Sequence, residues 1–276
     1  MKKIKLILIS IFLSISPLIL AQDGLISMPR MRLGIEAGIT STIGAKTNKH
    51  SNLRENRSYY YDDYDYDYNC GFIFDGQTYD MYYFGLNLEY TLIERLTIAA
   101  GLRCTFTHSE LNSDRDYFLW KTTESGLTTN YVKIRDISQK SIFVGIPLEL
   151  KFFPNKKDFF IRHYFILGTA LNFLVNSKNY ISYANDNMKK YSSLISEQAG
   201  KPNVFQGYLY VGVGLKIGRM NKAFGNIEIH FPVYMFDNEK LSSFAKSSGT
   251  AGIGIRTTLQ IPVFKNKKLQ YKIDNY

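Results

Sequence analysis

Residues 142–174 constrain the fold more than any other stretch of the chain. Ile142, Val144, Ile146, Leu148, Leu150 and Phe152 form an unbroken apolar file at period two, while Phe143, Gly145, Pro147, Glu149 and Lys151 occupy the alternate file. Period two belongs to a β-strand, in which successive side chains point to opposite faces. One face is greasy; the other is mostly small or charged. After a turn at Pro154–Asp158, a second run places Phe165, Leu167, Thr169, Leu171 and Phe173 on one face and Gly168, Ala170 and Asn172 on the other. Each run is about as long as a bilayer crossing requires, ~9–11 residues.

The same alternation recurs at about 32–42, 81–92, 96–106, 207–217, 227–235 and 249–262. Only Ile93–Glu94–Arg95 separates the second strand from the third, which demands a tight hairpin. Long polar segments at 43–80, 107–140, 176–205 and 237–248 alternate with the short connections. This predicts an all-β, eight-stranded antiparallel transmembrane β-barrel, an up-and-down meander with short periplasmic turns and long extracellular loops. Strand one must close on strand eight, because an open edge in lipid leaves backbone groups unsatisfied. A soluble ligand-binding barrel would instead turn its larger apolar residues inward.

At the N-terminus Lys2, Lys3 and Lys5 precede the apolar run Leu6–Ile15, then Ser16, Pro17 and a short exit ending in Ala21–Gln22. This is the pattern of a secretory signal peptide cut after Ala21, and the run is too short for a spanning helix of ~18–20 residues. The expected organisation is a signal peptide over 1–21, a periplasmic segment over 22–31, the barrel over 32–264 and a basic tail over 265–276, in the outer membrane. An exported chain meets no nucleic acid. Its formal charge of +10 is therefore assigned to outer-membrane lipid and acidic lipopolysaccharide as partners. Cys70 and Cys104 are too few for a disulfide framework or a zinc site, though export permits a bridge between them.

The strand IFVGIPLELKFF, followed by a short turn and an aromatic strand that runs into Gly168–Thr169–Ala170, resembles the PorT-like small outer-membrane β-barrels of Gram-negative bacteria. The resemblance covers about residues 32–262. It implies association with a secretion or surface assembly, and so a protein partner. One departure is that residues 263–276 continue past the last strand to Tyr276, leaving Phe264 and Tyr276 as alternative terminal aromatics.

The inward files carry Glu36, Glu89, Glu149 and Glu228 against Arg103, Lys151, Lys216 and Arg256, with His230 beside Glu228. An eight-stranded barrel is just wide enough for side chains to fill. These groups are expected to neutralise one another in a packed interior, since an unpaired buried charge is heavily penalised. In the first long segment Tyr59–Tyr68 reads YYYDDYDYDY. Asp63, Asp65 and Asp67 share the opening spacing of a calcium loop, but no Gly follows at the sixth place and no Glu at the twelfth. No metal and no cofactor is expected. Tyr59, Tyr60, Tyr61, Asp63, Asp65, Asp67 and the lone Trp120 are instead candidates for recognition, since aromatic side chains provide contact area at little entropic cost. His108–Ser109–Glu110 is no catalytic relay by adjacency alone, because relay members must converge in space. The expected function is a non-enzymatic scaffold whose loops bind a partner, with a lipid-modifying barrel enzyme and a small pore as the alternatives.

Overall fold

The computed structural model describes residues 30–43, 46–47, 51–54, 78–112, 116–124, 128–155, 158–235, 241–246 and 251–263. Eight long strands run in chain order: β1 (Met31–Ile43), β2 (Thr78–Ile93), β3 (Leu96–Asn112), β4 (Thr128–Phe152), β5 (Ile161–Tyr183), β6 (Phe205–Ile217), β7 (Phe224–Met235) and β8 (Ala251–Pro262). Each pairs antiparallel with its neighbours in sequence. β8 returns onto β1 from Arg32↔Pro262 to Ile43↔Ala251, closing the ring.

Around the ring the outward file is apolar. Ile35, Leu86, Leu102, Ile146, Leu167, Val213, Ile229 and Ile255, one from each strand, are all exposed. Aromatic residues border this belt, with Tyr82, Phe84, Phe106, Phe173 and Phe205 toward the long connections and Phe152, Phe159, Phe160 and Phe165 toward the short turns. A closed barrel with an apolar exterior between aromatic girdles is a membrane-spanning structure of the outer-membrane type. The chain is an outer-membrane β-barrel protein, and in barrels of this type the short turns face the periplasm. Strand five has the expected phase, since Arg162, Tyr164, Ile166 and Ala170 are buried while Phe165, Leu167 and Phe173 are exposed. Cys104 lies half-exposed in the outward file of β3, and Cys70 is outside the described residues, as are Phe264 and Tyr276.

The strands run past the boundaries expected from the sequence. β3 continues to Asn112, β4 starts at Thr128 and β5 reaches Tyr183, so 107–140 and 176–205 are not simply loops. The cause is a change of solvent. Above the lipid the outward file turns polar at His108, Lys140 and Lys178, whereas Leu111, Ile137 and Ile134 keep the inward file apolar. A reading keyed to outward grease stops at the bilayer edge, but backbone pairing does not.

The raised wall of β3, β4 and β5 carries a cap. A strand at Phe118–Glu124 pairs with β4, and Leu53–Arg54 pairs with that strand in turn. Helix α1 (Ser192–Ala199) follows a 3-10 turn at Asp186–Tyr191 and ends at Gly200, whose φ of 76° suits glycine. Leu53, Phe118, Trp120, Val132, Ile134, Tyr183, Ile195 and Phe244 form a second apolar core there, separate from the lumen.

The apolar exterior yields a direct test. Leu102, 58 % exposed on β3, lies among lipid-facing neighbours. Leu102→Lys is expected to destabilise the barrel by ~2–4 kcal/mol at the bilayer midplane, measured by denaturant unfolding in lipid bilayers. Tyr131→Lys, on the cap, is expected to change stability little. Equal effects at the two positions would remove the lipid-face assignment.

Candidate functional site

The buried charged residues lie on the inward files and meet inside the lumen. Arg256 is the hub. Its guanidinium holds Glu149 through two nitrogens and ion-pairs with Glu228, and Nη1 also reaches Glu36 Oε2 at 3.3 Å. Arg103 Nε donates to Glu36 Oε1 at 2.7 Å, and its guanidinium lies 4.2 Å from the centre of the Tyr83 ring. Lys151 Nζ donates to Glu89 Oε1 at 2.5 Å and to Glu228 Oε1 at 3.0 Å. Tyr164 and Tyr210 donate their hydroxyls to Glu228 and Glu149.

Strand geometry explains these meetings. Glu228 and Arg256 face each other across β7 and β8. Glu36 and Arg103 are separated by β2, but the residue between them in register is Gly85. A Cβ there would come within 3.2 Å of Glu36 Oε1, so the missing side chain is what lets the arginine through. Similarly, Tyr164 lies over its cross-strand partner Gly214, and Tyr210 lies over Gly168. Rings laid over glycines in this way fill a narrow lumen without crowding it.

Of the nine interior residues expected from the sequence, Glu36, Glu89, Arg103, Glu149, Lys151, Glu228 and Arg256 form this network. Two do not join it. Lys216 lies at the periplasmic end, where it binds Asp158 and the carbonyl of Phe159. The turn, which was expected only to connect strands, brings Asp158 back under the barrel; that carboxylate also accepts from the Met220 amide at 2.9 Å. His230 is buried but meets the hydroxyls of Thr40 and Tyr83, at 3.0 and 3.2 Å, instead of a carboxylate. Arg32 was missed. It shares the parity of Gly34 and Glu36, pairs with Glu89 at 3.5 Å and donates to Thr91 Oγ1 at 2.6 Å. With Arg32 included, four carboxylates face four cations.

Both ends of the lumen are closed. On the periplasmic side Arg162 caps the carbonyls of Glu94 and Asn155 and packs against the Phe153 ring. On the outer side residues 241–245 are buried between lumen and cap. Gln206 donates to the Leu241 carbonyl at 2.7 Å, Gln139 accepts from the Ser243 amide at 2.9 Å, and Ser242 donates to Ser109 at 2.8 Å. Leu241 belongs to the lumen's apolar cluster and Phe244 to that of the cap, so the segment joins the two cores.

Trp120, a recognition candidate by sequence, is fully buried in the cap and donates its indole N–H to Gln198 at 2.9 Å. It faces Val132 across the strand pair, and its place in that core removes it from the recognition surface. Tyr59, Tyr60, Tyr61, Asp63, Asp65 and Asp67 lie outside the described residues. Among the described residues no cluster of His, Cys, Asp and Glu is arranged to hold a metal.

No protein-family model matches the chain, and no curated protein matches it. Solved structures similar to it include the outer membrane protein OprG of Pseudomonas aeruginosa, at 11% identity and TM-score 0.40 over 85% of this chain and 97% of that one. The N-terminal β-barrel domain of OprF from the same organism matches at 10% identity and TM-score 0.32, over 83% and 97%. Ail, the attachment invasion locus protein of Yersinia pestis, matches at 11% and 0.29, over 85% and 99%.

Removing the hub would take from three buried carboxylates the cation they share, leaving Glu36 to Arg103, Glu228 to Lys151 and Glu149 to the Tyr210 hydroxyl. Arg256→Met is expected to cost about 3–5 kcal/mol, the range for breaking a buried ion pair from one side. Adding Glu228→Gln should recover part of that loss. Denaturant titrations of Arg256→Met, Glu228→Gln and the double variant close the cycle; additive losses would mean that the pair is not coupled.

Proposed function

We propose that this protein is a non-conducting, non-enzymatic platform that works through its capped outer end, binding a partner protein or supporting a secretion or surface assembly in the manner of PorT-like barrels. The observation that carries this reading is the double closure of the lumen, by the charge network within the bilayer and by the 241–245 segment above it. A transport path would have to open both. The resemblance of the IFVGIPLELKFF hairpin to PorT-like barrels supplies the assembly role, and the acidic-aromatic segment 59–68 supplies the first candidate for contact.

The geometry also weighs against the enzyme alternative. His108 and Ser109 are neighbours on β3 and therefore point to opposite faces. His108 is partly exposed on the outside, 3.4 Å from Glu110, while Ser109 is buried and bound to Ser242. His230 is sealed in the lumen. Neither histidine has a serine nucleophile within hydrogen-bond reach among the described residues, as covalent catalysis by a serine would require.

Planar-bilayer recordings of the purified protein are expected to show no stable openings, and steady large conductance would overturn the closed-lumen reading. For the partner, photo-crosslinking in intact cells from the cap position Tyr131 is expected to give a discrete adduct that weakens when residues 59–68 are deleted. An adduct unchanged by the deletion would remove that segment from the binding surface.

A further inference from the structure

The outer rim of the barrel carries an arrangement that neither lumen nor cap explains. Immediately above the apolar belt, register places His108, Lys140 and Lys178 side by side on the outward faces of β3, β4 and β5. Lys140 and Lys178 are directly opposite each other, a like-charge pairing that destabilises a sheet. Both are exposed, and among the described residues neither has a carboxylate within ion-pair distance. The nearby acids are engaged elsewhere, with Asp80 accepting from Ser41 at 2.7 Å and Glu110 facing His108.

The pairing is built by a bulge. β4 and β5 slip by one residue between Ile142 and Phe143, where Asn176 and then Leu174 are the partners and Val175 is left over. Below this point the odd-numbered residues of β5 face outward, as Phe165, Leu167 and Phe173 do. Above it the even-numbered Asn176, Lys178 and Tyr180 do so instead. Without the extra residue Lys178 would point inward, so the bulge re-aims it to the lipid-facing side. The Nζ atoms of Lys140 and Lys178 lie 5.2 and 5.3 Å from the centre of the same Tyr180 ring. Below them a groove of about 510 Å³ runs down past Asn176 to Ile142, Tyr82 and Phe106, into the apolar belt.

Two cations above an apolar groove at the bilayer boundary fit a molecule with an anionic head and an acyl chain. A phosphate monoester, at about −1.5 to −2 charges, balances two ammonium groups better than the single charge of a phosphodiester. Asn176 and Tyr180 add polar groups suited to sugar hydroxyls. We infer that Lys140, Lys178 and Tyr180 form a binding site for the phosphorylated sugar headgroup of an outer-leaflet glycolipid, with an acyl chain in the groove below. The inference rests on the placement of the long connections at the cell surface.

Native mass spectrometry of the detergent-solubilised full chain tests it, using bis-phosphorylated lipid A, its dephosphorylated form and phosphatidylglycerol as probes. The native protein is expected to retain the phosphorylated glycolipid at least tenfold better than either other lipid. Lys140→Gln with Lys178→Gln should abolish that preference, Lys140→Arg with Lys178→Arg should keep it, and Lys189→Gln with Lys190→Gln on the cap should not alter it. Heat-modifiable gel migration establishes that each variant is folded. Unchanged retention by the double glutamine variant, or equal retention of the three lipids, would overturn the inference. Orientation is read separately, by labelling Lys189→Cys, exposed on the cap, in intact cells with a membrane-impermeant thiol reagent, in a Cys70→Ser, Cys104→Ser background. Absence of label there would refute the surface placement while leaving the detergent result to judge the clamp.

Discussion

A backbone that crosses hydrocarbon has only itself to hydrogen-bond with, and the return of β8 onto β1 satisfies that constraint. Once eight strands close, the width of the lumen is set, and it is a width that side chains must fill. Alternation then divides every strand between lipid and interior, so each strand surrenders its larger aliphatic residues to the outside. What remains inward is mostly small, aromatic, polar or charged, with Met81 and Ile166 as larger apolar exceptions. The charged interior is therefore a consequence of closure as much as of function.

Within that space the polar groups hold the strands in register. Sliding a strand by one residue would carry its inward charges into lipid and its aliphatic file into the lumen. Glu36 would leave Arg103 and Arg256, and Glu149 would leave Arg256 and Tyr210. A buried ion pair roughly balances its own desolvation, but a register slip would break all of these pairs at once and leave their charges uncompensated. The glycines belong to the same device. Gly85 opens a passage for an arginine, while Gly168 and Gly214 accept rings from the opposite strand.

The bilayer ends before the barrel does. Above it β3, β4 and β5 continue in water on their outer face and pack a second apolar core on their inner face, with α1 and the 118–124 strand completing it. Two register shifts, near Arg135 and at Val175, change which residues face outward as this wall rises. One buries Val132 and Ile134 in the cap, and the other turns Lys178 and Tyr180 toward the bilayer surface. The Leu241–Ala245 segment ties the two cores together, so that lumen and cap form a single closed body.

Strand number, topology, phase and the identity of seven network members were legible in the sequence because period two and connection length are local properties. Glu36 and Arg256 announce themselves by standing in files of glycine and threonine, and Glu149 by facing opposite an unbroken aliphatic file. Arg32 was equally legible by parity, but it lies at the very start of its strand, where the alternation has too few neighbours to be read. The other outcomes depended on tertiary structure. Lys216 left the central network because a turn delivers Asp158 beneath it. Trp120 went from loop to core because the inner face of the raised wall needed covering. Lys178 met Lys140 because one extra residue at Val175 reversed the facing of a strand. Alternation assigns a side chain to a face, but only the closed ring, with its bulges and lumen-crossing reach, decides which residues on that face meet.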